Sequence, residues 1–171
     1  MDVLIEPEDE AEATAAIVEQ FQETTDDFII KKLKNEQSPY DFEHFIAHLL
    51  TCMGYHARVT KASGDGGIDV IAHRGELGFE PPIIKVQCKQ STGSFGRPEV
   101  QKLYGSIERD EMALFVTLGA YSTEARTFEQ TKSNLRLLDG KDIVDLVQRH
   151  YTSFSPRYRA LIPLKQTFSP A

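Results

Sequence analysis

Two successive apolar segments of the chain carry polar residues that could take part in catalysis. The first segment contains an aspartate, and the second has polar side chains along one face. Asp69 lies inside an apolar segment, where an unpaired carboxylate would be costly to bury. In the run 83–89, strand alternation places Gln87 and Lys89 on one face. A carboxylate, an amide oxygen and a strand-end carbonyl, here that of Cys88, are ligands for a hard divalent cation. A lysine beside them can orient a water and offset charge building on phosphorus, so the set suits phosphodiester hydrolysis.

Simpler explanations of these residues stay open at this level. A polar stripe of Lys85, Gln87 and Lys89 is also what a solvated edge strand shows, and Asp69 with Lys89 also fits a plain ion pair. Glu43 lies one step off the apolar stripe of the first helix of the body, from which it could hold the metal or a ligand water. An ordinary solvated glutamate shows the same pattern.

The elements that must position these residues follow from periodicity and turn signals. A helix starts at Ser38, which can cap it, and Pro39 suits the first helical position. Apolar residues at helical spacing then give the helix a buried face up to Gly54. The later pattern predicts strands at 56–61, 68–73, 83–89, 113–118 and 135–138, and helices at 99–109, 122–130 and 141–150. This order predicts an α/β fold with a mixed sheet of about five strands flanked by helices.

The charge is unevenly distributed along the chain. The net charge is −7, but residues 1–27 hold ten acids and neither Lys nor Arg, whereas residues 38–171 are close to neutral. We therefore predict three parts: an acidic helical appendage or linker over 1–37, a body over 38–151, and an irregular tail over 152–171 that wraps the body. The acidic helix is expected to pack on the body or on a second copy. A neutral body neither demands nor forbids DNA, since only a local basic surface is needed for phosphate contacts.

Composition excludes several classes of protein. A chain of 171 residues, 40% of them apolar, is expected to form one globular domain. No apolar run reaches the roughly 18 residues of a membrane span, and the acidic N-terminus lacks the pattern of a signal peptide. Two cysteines, Cys52 and Cys88, are too few for a zinc ribbon and are interpreted as reduced thiols. The expected location is therefore the cytoplasm.

Several motifs together resemble a known family. They are the helix segment Phe42–Phe45, the turn and strand of sequence GDGGIDV at 64–70, and the triplet QCK at 87–89. In this order and spacing they are similar to the Mrr-type restriction endonuclease catalytic domain, a member of the PD-(D/E)xK nuclease superfamily. The segments 121–126 and 137–143 also resemble the family, so the resemblance covers about residues 38–151.

The resemblance implies a restriction-endonuclease-like core and a Mg²⁺-dependent DNA endonuclease, with Mn²⁺ as a substitute cation. It implies that Asp69 binds the metal, that Gln87 takes the superfamily's second acidic position, and that Lys89 is the catalytic lysine. Glu43 matches the acid of the first helix, and Asp65 matches the aspartate of the glycine turn, which is expected at the DNA interface. Gln87 brings one negative charge fewer than the wider superfamily has, so metal affinity would lean more on Glu43 and on DNA phosphate.

The expected partner is double-stranded DNA, with restriction of foreign or modified DNA as the activity. A homodimer and a separate DNA-recognition domain or subunit are further expected partners, and no membrane is. The candidates for phosphate contact are Arg58, Lys61, Arg97, Lys102 and Arg126. His44 and His48 are four residues apart, but we interpret them as surface or DNA-facing residues because no third ligand accompanies them. A structure-selective repair nuclease and a catalytically silent DNA-binding or interaction module remain as alternatives.

Overall fold

A central mixed sheet carries the residues singled out above. In the computed structural model, which describes residues 7–61 and 67–168, the strands are β1 (His56–Val59), β2 (Val70–His73), β3 (Ile83–Lys89), β4 (Ser94–Phe95), β5 (Glu111–Thr117), β6 (Ala120–Tyr121) and β7 (Leu135–Leu138). Five of them form one sheet in the order β1-β2-β3-β5-β7. The predicted mixed sheet of about five strands is confirmed.

The pairing within the sheet changes from antiparallel to parallel at β3. β1 with β2 and β2 with β3 are antiparallel, whereas β3 with β5 and β5 with β7 are parallel. The antiparallel strands need only short connections, and each parallel pair is joined by a crossover that contains a helix. β4 and β6 form a separate two-stranded parallel pair that the sequence pattern did not predict, because two residues are too few to show a period.

Helices cover both faces of the sheet. They are α1 (Pro7–Asn35), α2 (Pro39–Cys52), α3 (Arg97–Tyr104), α4 (Thr123–Gln130), α5 (Gly140–His150) and α6 (Pro156–Leu161). α2, α5, α6 and the end of α1 share one apolar core with the sheet, and α3 and α4 share a second core on the other face. Among the helices described, none has the length and hydropathy needed to cross a membrane.

α2 forms where the sequence predicts it. The Ser38 hydroxyl accepts the Asp41 N–H at 3.1 Å, and the Asp41 carboxylate accepts the Ser38 N–H at 3.4 Å, which completes a capping box. The apolar face of the helix is buried against the sheet, with Phe42, Phe45 and Ile46 almost inaccessible. Each such side chain contributes about 1.5–3 kcal/mol through burial. The helix therefore holds Glu43, which flanks this face, at a fixed height above the sheet.

Both ends of the chain pack on the body, and the C-terminal end is more regular than predicted. α1 packs on the body through its last turns, with Ile29 and Leu33 fully buried. The tail is not irregular throughout, because residues 151–153 form a 3₁₀ turn and α6 follows it. Phe154, Tyr158 and Ile162 of this segment are buried in the same core as α2. The tail covers the body through Tyr158 of α6 and the two apolar residues that flank this helix.

Candidate active site

Asp69 lies at the point where β2 and β3 separate. Its N–H donates to the Val86 carbonyl at 2.8 Å, so the backbone pairing continues one residue before β2 begins. Two residues further along β3, the Cys88 N–H donates instead to the Asp69 carboxylate at 2.7 Å. A side-chain oxygen thus takes the place of a main-chain acceptor. This bond fixes the carboxylate at the strand end, half-buried in the sheet.

Glu43 of α2 meets Asp69 across the edge of the sheet. The two carboxyl groups lie close enough for one to donate a hydrogen bond to the other when it is protonated. Burial, the nearby charge of Asp69 and this hydrogen bond raise the pKa of Glu43 to about 7. Burial also raises the pKa of Asp69, although the Cys88 N–H, the bond to Glu43 and the Lys89 ammonium act in the opposite direction. Two half-buried carboxyl groups in contact form a site that favours an added positive charge.

Lys89 and Gln87 follow the predicted alternation along β3. Val86 and Cys88 are buried in the core under α2, whereas Gln87 is half-buried and Lys89 is exposed. Lys89 is close enough to Glu43 and Asp69 for its ammonium to lower the pKa of both.

Lys85 differs in role from the two later members of the stripe. Its ammonium lies 3.3 Å from a carboxylate oxygen of Glu111, an ion pair at the other end of β3. The polar stripe therefore divides into a structural part at Lys85 and a part at Lys89 that lies beside the acids.

Gly67 brings the backbone that leads into Asp69 close to Gln87. Its φ angle is +85°, and a Cβ at this position would lie 3.1 Å from the Gln87 side-chain nitrogen. A larger residue would therefore be strained and would also crowd Gln87. The glycine keeps the Gln87 amide next to the backbone that leads into Asp69, at the same edge of the sheet.

The donor set fits a hard divalent cation. Two carboxylates and the Gln87 amide supply oxygen ligands, the kind that Mg²⁺ prefers. Within residues 7–61 and 67–168 no cluster of three or more His, Cys, Asp or Glu side chains could hold a metal. A cation at this edge would accordingly complete its shell from the amide, a backbone carbonyl such as that of Cys88, and water. The Cys88 thiol itself is buried, and its pKa is raised well above the usual value by desolvation and by both acids, so it stays protonated.

Most of the predicted phosphate contacts lie on the surface. Arg58, Lys61, Arg97 and Lys102 are exposed. Asp65 lies outside the described residues.

Arg126 is engaged within the protein. Its guanidinium donates to Asp139 at 2.8 Å and to the Leu137 carbonyl at 3.1 Å, and it is 3.3 Å from Glu129. We therefore leave Arg126 out of the proposed DNA interface, because its donors already join α4 to the start of α5.

The two histidines of α2 do not act as a pair. His44 packs edge-on against Tyr40 at 4.6 Å between ring centroids. His48 instead stacks on Tyr158, and its Nε2 accepts the Ser155 N–H at 3.3 Å. Burial lowers the pKa of His48, which agrees with a neutral acceptor ring. The two rings thus serve different contacts.

Gln90 is a positioning residue that the sequence reasoning missed. Its side-chain amide donates to the Leu33 carbonyl at 2.8 Å and to the Gln37 carbonyl at 2.9 Å. These bonds tie the residue after Lys89 to the junction between α1 and α2. The available signal was a further polar residue directly after the stripe, but its partners lie more than fifty positions away and could not be identified.

The comparison with known families agrees with this geometry. The sequence model of the Mrr catalytic domain, described as a restriction endonuclease, matches residues 34–147. The chain belongs to the Mrr restriction endonuclease family. The match includes Glu43, Asp69, Gln87 and Lys89, and it confirms the resemblance drawn from the sequence motifs.

A characterised relative covers much of the same region. The chain is 31% identical over 127 residues to the type IV methyl-directed restriction enzyme EcoKMrr of Escherichia coli strain K12. The alignment covers 70% of this chain but only 41% of that enzyme. The chain thus spans less than half the length of this member of the Mrr family.

Solved structures share the fold of this Mrr family member. The DNA modification-dependent restriction endonuclease AspBHI superposes with a TM-score of 0.60 at 17% identity, over 82% of this chain and 38% of that one. The MspJI restriction endonuclease, solved in complex with a 27-mer oligonucleotide, gives 0.55 at 18% identity over 95% of this chain and 38% of its own. These likenesses confirm the expected restriction-endonuclease-like core.

Proposed function

We propose that the chain is a divalent-metal-dependent DNA endonuclease whose active site is formed by Glu43, Asp69, Gln87 and Lys89. The observation that carries the proposal is the contact between the Glu43 and Asp69 carboxyl groups beside the Lys89 ammonium, at the point where β2 and β3 separate. Membership of the Mrr family supports it.

The role proposed for each residue follows from the chemistry of its side chain or backbone group. Asp69, Glu43, Gln87 and the Cys88 carbonyl would hold the cation. When bound, a divalent cation supplies Lewis-acid stabilisation and lowers the pKa of a coordinated water.

The protein's own groups carry the remaining steps. The Cys88 N–H keeps the Asp69 carboxylate in one orientation before substrate arrives. Lys89, exposed at the strand end, would donate a hydrogen bond to the attacking water or to a phosphate oxygen and offset the charge that develops on phosphorus. Lys61, Arg97 and Lys102, all exposed, would contact the DNA backbone.

The proposed substrate is modified or foreign double-stranded DNA. The relative is described as methyl-directed, and AspBHI is described as modification-dependent. Because the chain spans 41% of that relative, a separate recognition domain or subunit is part of the proposal.

The test is cleavage of supercoiled plasmid by the full chain with Mg²⁺, Mn²⁺ or EDTA, on matched methylated and unmethylated DNA. We expect nicking or linearisation with either cation, none with EDTA, and faster cleavage of methylated plasmid. Cleavage that persists in EDTA contradicts the metal requirement. Equal rates on both plasmids contradict the choice of substrate, and cleavage confined to branched DNA would favour a repair nuclease instead.

A further inference from the structure

The first half of α1 extends away from the body. Every position from 7 to 24 is exposed, whereas Ile29 and Leu33 further along the same helix are fully buried. At 1.5 Å per residue, the exposed part is roughly 27 Å long. A helical extension with few tertiary contacts gains little stability in water, so a partner that covers this part of α1 would be expected.

Apolar and acidic residues occupy different sides of this helical arm, defined here as residues 7–28. With 3.6 residues per turn, one face carries a stripe of apolar and small residues. This arm stripe consists of Ala13, Thr14, Ile17, Val18, Phe21 and Phe28. The opposite face carries Glu8, Glu12, Glu19, Glu23 and Asp26. A partner that contacts the arm stripe would therefore not meet these acids.

The arm stripe is exposed where it leaves the body. Ile17, Val18 and Phe21 are 54%, 62% and 70% exposed. Towards the body, the stripe borders a groove of about 860 Å³ whose other wall is the tail around Leu164. Among the described residues nothing covers the three exposed side chains. A contiguous apolar stripe of this kind indicates an interaction surface.

The charges at the ends of the stripe identify the partner. Glu10 is the acid that lies on the stripe face near the start of the arm, and Lys31 lies exposed along the same face at its other end. An antiparallel second copy would bring Glu10 of each chain next to Lys31 of the other. DNA is excluded as the partner, since the ten acids of residues 1–27 repel phosphate.

We propose that the helical arm pairs antiparallel with the arm of a second copy of this chain, with the arm stripes in contact and Phe21 near the two-fold axis. The acidic faces then point away from the contact. Such a pair of helices buries roughly 1,200 Å² in total, at the lower end of specific interfaces, so the association is expected to be weak, with Kd near the micromolar range. The proposal does not depend on nuclease activity.

The test is sedimentation of the full chain over a series of concentrations, alone and without DNA. We expect the wild-type mass to rise from monomer to dimer as concentration increases. Phe21→Glu and Ile17→Glu should each remain monomeric over the same range. Ala16→Glu introduces the same charge at an exposed position on the other face and should dimerise like the wild type. Equal melting temperatures of these variants show that the body is unchanged.

A charge exchange tests the antiparallel arrangement separately. Glu10→Lys should weaken the dimer about three- to tenfold, because it places two bases together, and adding Lys31→Glu should restore it. A wild-type chain that stays monomeric at about 100 µM overturns the proposal. So does a dimer that Phe21→Glu and Ala16→Glu affect equally. Failure of the double exchange to restore association overturns the antiparallel arrangement.

Discussion

Two charged clusters of similar exposure lie on different strands of the sheet, one where β2 and β3 separate and one at the end of β7, and they differ in whether a basic group holds the acids together. Around Arg126, the guanidinium reaches Asp139 at 2.8 Å, Glu129 at 3.3 Å and Asp142 at 3.9 Å, and these contacts join α4, the end of β7 and α5. Around Asp69, two carboxyl groups face each other, and the lysine beside them forms no ion pair within 4 Å among the described residues. A cluster with a basic group at its centre stabilises the fold, whereas a pair of facing acids is suited to a cation.

The largest expected effect concerns Lys89. If Lys89 stabilises charge in the transition state, Lys89→Ala should lower the single-turnover cleavage rate by about 100- to 1000-fold, with little change in DNA affinity. Lys85→Ala on the same strand face is the matched control, since Lys85 pairs with Glu111, and should keep the rate of the folded enzyme. An unchanged rate for Lys89→Ala at saturating DNA removes the catalytic assignment.

The Arg126 cluster should affect the stability of the fold instead of the cleavage rate. Arg126→Ala leaves three acids without their basic partner and should lower the free energy of unfolding by about 2 kcal/mol, or roughly 4–8 °C in Tm. The exposed pair of Arg149 with Asp145 is the control, because Arg149→Ala should change stability by less than about 0.5 kcal/mol. Thermal unfolding distinguishes the two. Equal unfolding temperatures for the two variants would show that the contacts of Arg126 do not stabilise the fold.

Adding a divalent cation should stabilise the protein through the Asp69 cluster and not through the Arg126 cluster. At ten times Kd, a cation that binds the folded state alone contributes about 1.4 kcal/mol, or roughly 3–5 °C. Thermal unfolding with and without Mg²⁺ should show this shift in the wild type, and Asp69→Asn should abolish it. A shift of equal size in Asp69→Asn would place the cation elsewhere.

The smallest effect is a gain in stability. Glu43→Gln removes one of two facing carboxyl groups, so in EDTA at pH 8 it should raise the unfolding free energy by about 0.5 kcal/mol. The same variant should lose cleavage in Mg²⁺. Glu36→Gln, which breaks the exposed pair with Lys32, is the control and should not stabilise the protein. Destabilisation by Glu43→Gln would mean that the glutamate serves the fold.

The sequence predicted the Asp69 cluster better than the Arg126 cluster. Alternation along Ile83–Lys89 and a single acid in an apolar segment are local patterns, so Asp69, Gln87 and Lys89 could be placed on neighbouring strands. The Arg126 cluster could not be found this way, because its partners come from β7 and α5, and Arg126 was assigned instead to phosphate.

The secondary structure also divides into elements that local sequence patterns predict and elements that form only when distant segments meet. The long strands and α2 follow from periodicity and capping, whereas β4 and β6 arise only when two distant loops meet. α6 had a signal in the four-residue spacing of Phe154, Tyr158 and Ile162, which the surrounding prolines obscured.

The most direct measurement compares one acid from each cluster. Asp69→Asn and Asp139→Asn remove the same charge at half-buried positions. Each variant is assayed for single-turnover cleavage of plasmid in Mg²⁺ and for thermal unfolding. We predict that Asp69→Asn keeps its melting temperature in EDTA and loses cleavage, whereas Asp139→Asn melts earlier and cleaves normally while folded. Full cleavage by Asp69→Asn would contradict the account, because the proposed metal site would then not be the site of hydrolysis.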